Sequence, residues 1–240
     1  MFRVFCLMSC LALAGCGGGG QVSPNGPRPR QVRVDWLGHE SFLFTASLGT
    51  KILTNPYEAG ATGRSFPSGL RPHILLISSE EPEANNVDAL DNSPTIFRGA
   101  VALGPNSANG IRIRGIPTYK NPEKEEVSGM NVVFCWTLDG VRFCFAGNIA
   151  NPLSTSELVR IGQVDVLLLP VGVPPRLTDS AREIIISQVR PRVIIPMGRA
   201  AEISGWTAGF TNVHRLPGSS VLLSREALPL DQTVLVLAAP

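Results

Sequence analysis

Between Gln31 and Ala150, short runs rich in Val, Ile, Phe or Thr are bounded by Gly, Pro, Asn or Asp. That pattern predicts strands over 32–36, 41–46, 51–55, 73–78, 95–97, 111–118, 132–138 and 141–146. From Thr155 onward the period changes. Helical patterns over 155–161 and 179–189 flank strand-like runs at 164–170 and 192–196, and strands at 220–224 and 233–238 close the chain. Ser154-Thr155-Ser156-Glu157 reads as a helix start with Ser154 or Thr155 as N-cap. Strands giving way to strand/helix alternation predict two sheets with helices packed outside them.

Asp139-Gly140 predicts a two-residue hairpin turn. It sets Leu138 opposite Val141, Thr137 opposite Arg142, Trp136 opposite Phe143 and Cys135 opposite Cys144. Counting outward from the turn makes the cysteine pair non-hydrogen-bonded, with Cα atoms ~4.5 Å apart, at the short end of disulfide geometry. A cross-strand Cys135–Cys144 disulfide is expected in an oxidising compartment, and two packed thiols are the alternative.

The N-terminus bears on location. Arg3 precedes an almost wholly apolar stretch from Val4 to Ala14, too short for a membrane span, which needs ~20 residues, and suited to a secretory signal. Its end, Leu13-Ala14-Gly15-Cys16, resembles the bacterial lipobox, which implies cleavage before Cys16 and lipidation of that cysteine. Residues 1–15 are then a signal peptide and 16–30, rich in Gly and Pro, the lipidated cysteine and a flexible tether. Residues 31–240 form a single domain. The resemblance implies attachment to a membrane through the lipid. Gly17, where the lipoprotein-sorting pattern for inner-membrane retention has aspartate, points to the outer membrane, facing the periplasm.

A formal charge of +2 gives no electrostatic footprint for nucleic acid. The chain has no Gly-x-Ser-x-Gly elbow and no Cys-x-x-Cys pair, and Gly17 to Gly20 lies in the tether, away from any strand-to-helix turn that could cradle phosphate.

The segment VDWLGHESFLFTASLGTKILTNPY, residues 34–57, resembles the opening of the metal-dependent hydrolase branch of the metallo-β-lactamase superfamily, which includes ascorbate-phosphate lactonase-like proteins. Trp36-Leu37-Gly38-His39, Ser41-Phe42, Gly49, Lys51 and Pro56 fit that pattern, with Asn55 where the family has aspartate. Leu75 to Ser78, Phe145-Ala146-Gly147, Asp165 to Pro170 and Val193 to Met197 match its later strands in order. The resemblance implies an αββα four-layer sandwich. It also implies two zinc ions, held in the family by a His-x-His-x-Asp-His signature and later ligands. Here those places hold Ser79, Glu81, Glu83 and Ala84, then Lys120, Asn148 and Gly198.

Zinc prefers imidazole and carboxylate donors, and metal-assisted hydrolysis needs a metal-bound water. His39, His73 and His214 are the only histidines, so a normal di-zinc site is not expected and no cofactor is assigned. His73 and His214 read as structural. His39 and Asn55 are placed at a possible pocket, and Lys120 is expected to pair with Glu81 or Glu83. The leading expectation is an inactive hydrolase-like binding module for a small molecule, glycan or protein partner. The alternatives are a hydrolase whose hard metal is held by the oxygens of Glu81, Glu83 and Asn148, and a structural component of an envelope complex.

Overall fold

The structure, a computed structural model, describes residues 30–121, 129–172 and 177–240. The expected signal, Cys16 and the tether up to Pro29 lie outside the described residues. Six strands form one sheet: β1 (Val32–Gly38), β2 (Ser41–Thr45), β3 (Lys51–Thr54), β4 (Ile74–Ile77), β5 (Thr95–Arg98) and β13 (Ser220–Leu223), in the order β13-β1-β2-β3-β4-β5. Eight form the other: β6 (Gly104–Ala108), β7 (Ile111–Tyr119), β8 (Met130–Leu138), β9 (Val141–Phe145), β10 (Val166–Pro170), β11 (Val193–Met197), β12 (Val213–Arg215) and β14 (Thr233–Val236), in the order β12-β14-β11-β10-β9-β8-β7-β6. The expected mixed α/β sandwich of two sheets is the fold observed.

The sheets pack face to face through large apolar side chains that alternate along the strands. Phe44 of β2 meets Trp136 of β8 at 5.0 Å and Phe143 of β9 at 5.1 Å, both edge-on. β10 and β11 pair in parallel and their side chains are buried on both faces, which is why they read as continuous apolar runs without alternation. Helices α2 (Thr155–Ile161), α3 (Asp179–Val189) and α4 (Ala200–Thr207) contribute Ile161, Ile185 and Ile203 to the same core. The outer layer over the six-stranded sheet is thin. There Leu53, Leu75 and Ile77 are covered by partly buried side chains such as Phe66, Leu70 and Val87, and α1 (Ala59–Thr62) has four residues.

Local signals fix several boundaries. Ser154 caps α2 in a capping box with Glu157, as the sequence predicts. Asp139 and Gly140 both have positive φ, 47° and 82°, and the hairpin register is the one they dictate, Cys135 opposite Cys144 included. The expected disulfide is not formed, and both cysteines are free thiols. Direct opposition in a non-hydrogen-bonded pair places their Cα atoms at the short end of bridgeable geometry. The hydrogen bond to Cys135, then burial, raises the Cys144 thiol well above the ordinary range. Four of the labelled elements escaped the pattern: α1, β6, β12 and α4. β6 is Gly-Pro-Asn-Ser-Ala, turn residues in an edge strand. β12 has three residues, and α4 carries Gly205 in its interior.

Candidate functional site

A cavity of about 280 Å³ opens where the chain leaves β1, β4, β9, β10 and β11. These are the carboxyl ends of the strands, where open α/β sheets characteristically bind ligands. His39, Glu40, Glu83, Asn148, Arg199 and Glu202 supply its polar groups, and Gly172 and Gly198 leave room between them.

His39 follows Gly38 in the turn after β1 and has a left-handed backbone, φ 48°. Its carbonyl accepts a 3.0 Å bond from the Trp36 indole, and its backbone forms a bridge with Gly198. The turn geometry and the cavity lining therefore come from one residue. Burial lowers the His39 pKa below the ordinary histidine value; the hydrogen bond with the Thr62 backbone opposes this, while the positive charges of Arg199 and Arg64 add to it.

Asn55 does not line the cavity, contrary to the sequence reading. It is fully buried at φ 36°. Its Oδ1 accepts from Ser78 N at 2.9 Å, and its Nδ2 donates to Ser78 Oγ at 2.8 Å and Glu40 Oε2 at 2.9 Å. Those bonds occupy the amide behind the wall, so Asn55 positions Glu40, and Glu40 faces the opening. His73 is structural: its Nδ1 accepts from Lys51 N at 3.0 Å, fastening β3 to the start of β4. His214 lies exposed on β12.

The positions expected to hold metal ligands divide into three groups. Glu83, Asn148 and Gly198 line the cavity with His39. Ser79 and Ala84 are interior, 3% and 0% exposed, with Ser79 Oγ accepting a long 3.4 Å bond from Asn148 Nδ2. Lys120 and Glu81 form an ion pair, the Lys120 side chain 7% exposed and that of Glu81 38%. The expected Lys120–carboxylate contact is therefore present with Glu81, and neither partner is among the cavity's lining residues.

Several of the cavity's features were absent from the sequence reading. Glu202 Oε2 accepts from Arg199 N at 3.0 Å and its Oε1 from Arg199 Nε at 2.9 Å, which folds the start of α4 over the cavity. Glu40 and Arg199 each adjoin a residue that the family pattern does mark, His39 and Gly198. Gly198 has φ 144°, and a Cβ there would lie 2.2 Å from Val171 O. A Cβ at Gly172 would lie 2.2 Å from Glu202 Oε2. The wall is closed by backbone at the place where the family pattern puts its last histidine.

A two-layered sheet sandwich with a polar cleft at its strand ends defines a fold of metallo-β-lactamase type. Residues 33–198 match the family described as "Beta-lactamase superfamily domain", and the chain belongs to that family. Among curated relatives, a UPF0173 metal-dependent hydrolase of Archaeoglobus fulgidus is 22% identical over 193 residues, covering 69% of this chain and 82% of the relative. A UPF0173 protein of Pyrococcus furiosus is 28% identical over 189 residues with the same coverage. A structure from Thermotoga maritima, described as a proposed Zn-dependent hydrolase of the metallo-beta-lactamase superfamily, superposes with a TM-score of 0.70 at 21% identity, covering 87% of this chain and all 100% of that one. A proposed metal-dependent hydrolase from Parabacteroides distasonis gives 0.61 at 17% identity, covering 88% and 94%.

As a donor set, the residues at the expected ligand positions do not fit a zinc pair. Ala84 and Gly198 offer no side-chain donor, Lys120 is a cation held by Glu81, and Asn148 brings a neutral amide engaged with Ser79. Among the described residues no three His, Cys, Asp or Glu side chains are grouped to share a metal ion.

Proposed function

We propose that the protein is a lipid-anchored member of this family that has lost metal-dependent hydrolysis and uses the cleft to bind a ligand. The observation that carries the reading is the ion pair of Lys120 with Glu81. It puts a fixed, largely buried ammonium at an expected ligand position. A cation there repels a second cation, and Glu81 supplies the partner that this buried ammonium needs.

The cleft supports the binding half of the proposal. Its volume of about 280 Å³ is at the small end for ligand pockets. Its wall offers both donors and acceptors: Arg199 and Asn148 on one hand, Glu40, Glu83 and Glu202 on the other. Such a wall suits a small polar molecule or one sugar unit of a glycan better than an apolar ligand. The second reading, a hydrolase with an oxygen-ligand metal, draws on the relatives and on Glu83 and Asn148 sharing the cavity. It requires Glu81 to exchange Lys120 for a metal.

Hydrolysis assays separate the two. Purified protein, supplemented in turn with Zn²⁺, Mn²⁺ and Mg²⁺, is expected to leave lactone, carboxyl-ester and phosphodiester substrates unhydrolysed above background. Turnover that a chelator abolishes would establish the second reading. The anchor is tested separately: palmitate labelling of the full chain in a bacterial host should disappear in Cys16→Ser, and an unlabelled parent chain would contradict it.

A further inference from the structure

We infer that the outer face of the eight-stranded sheet carries a second binding site, a basic groove that takes a phosphate ester. This site is separate from the cleft and does not rest on the reading of the cleft. The groove has a volume of about 240 Å³ and is lined by Arg112 and Arg114 of β7, Arg142 of β9 and Arg160 at the end of α2, with Cys135 and Gln163 between them.

The sheet's alternation creates the cluster. Ile113 pairs with Trp136, whose ring stacks on Phe143 in the core between the sheets, so the exposed Arg112 and Arg114 point the other way. Arg114 lies opposite Cys135, and Thr137 lies opposite Arg142. The guanidinium groups of β7 therefore share a face with that of β9.

Their charges are unequally compensated. Arg142 is committed: its Nε and Nη2 donate to the Asp165 carboxylate at 2.8 and 2.6 Å, and its Nη1 donates to Gln163. Arg114 donates one Nη1 bond, 2.6 Å, to the Arg160 carbonyl. Arg112 and Arg160 form no ion pair among the described residues, and no carboxylate lines the groove. Glu157, the acidic residue nearest Arg160 in sequence, is engaged by Ser154 at the start of α2.

Among the described residues these three guanidiniums, of Arg112, Arg114 and Arg160, have no carboxylate partner, so their mutual repulsion is not offset by an ion pair there. Arg112 and Arg114 are two residues apart on one strand face, ~7 Å along the chain. A phosphate monoester supplies ≈ −1.5 to −2 charge at neutral pH and three acceptor oxygens, and the planar arginine fork matches those oxygens. A single carboxylate would leave most of the charge unmatched. The preformed Arg142–Asp165 fork fixes the floor.

Calorimetric titration of the purified full chain in detergent with glycerol 3-phosphate and with inorganic phosphate tests the soluble source. Titration with glycerophosphoglycerol, the deacylated headgroup of phosphatidylglycerol, tests a lipid headgroup independently of the proposed anchor. Saturable binding in at least one arm is expected. Arg112→Glu and Arg160→Glu should each weaken it at least about tenfold, the scale of one lost charge-assisted bond. Arg71→Glu, an equal charge change at an exposed site away from the groove, should leave it within about twofold. Thermal melts of all three variants establish folding, and either groove variant alone suffices if the other is unstable. Absence of saturable binding in every arm, or equal weakening by Arg71→Glu, would overturn the proposal.

Discussion

At the residue scale, the cleft is shaped by positions where a side chain is either impossible or already committed. Gly198 is the sharpest case, since a Cβ there meets Val171 O at 2.2 Å with the backbone at φ 144°. Restoring the family's histidine by Gly198→His should therefore cost roughly 2 kcal/mol or more in urea unfolding, through overpacking and backbone strain, and should add no zinc affinity. A Gly198→His protein as stable as its parent and binding zinc would contradict the geometry. His39 gives a pH signature. Burial depresses its pKa in the folded state, so the unfolded chain, with a value near ~6.5, takes up the proton first as pH falls. The stability His39 contributes is full above ~6.5 and is lost as pH drops through its lower folded value. NMR titration of the His39 ring should give a midpoint below ~6.5, and a midpoint above it would contradict the burial argument. His39 and Asn55 mark how far the sequence can be read. The Gly-His turn is a local motif that puts His39 at the cavity, whereas the direction of Asn55 depends on Ser78 and Glu40, contacts made across strands.

At the element scale, legibility followed how local the determining physics is. The Asp139-Gly140 turn and the Ser154 capping box are set within four residues, and both were legible, register included. The edge strand β6 and helix α4 were not, because pairing with β7 and packing of Ile203 override weak local propensity. The start of β10 depends on a contact that no local pattern encodes. Asp165 accepts from Arg142 N, Nε and Nη2 and joins β9 to β10. Burial alone would raise its pKa, but the Arg142 bonds and charge, with Arg225 beyond, hold it below the ordinary carboxylate value. The contribution is thus full above the unfolded value of ~3.9 and is lost as pH falls through the folded one. Asp165→Asn should destabilise by ~2–3 kcal/mol at neutral pH, the scale of hydrogen bonds to a charged group, and should flatten the acid limb of the stability curve. An unchanged acid limb would show that the pair contributes nothing.

At the scale of the whole molecule, the two-sheet architecture was legible because strand and helix periods switch near Thr155 and because family-like segments recur in order along the chain. The cavity was only partly legible. Glu83, Asn148 and Gly198 come together from three strand ends, as their family positions imply, but the inward packing of Ser79 and Ala84 depends on the surrounding core. The proposed loss of metal chemistry rests on Lys120 paired to Glu81 at an expected ligand position. The most direct test is the metal content of the protein, purified without chelator from zinc-supplemented medium and measured by inductively coupled plasma mass spectrometry. Well below about one-tenth of an equivalent of zinc, manganese or iron per chain is expected, since a catalytic zinc needs about three protein ligands. About one or two equivalents that survive extensive dialysis would contradict it.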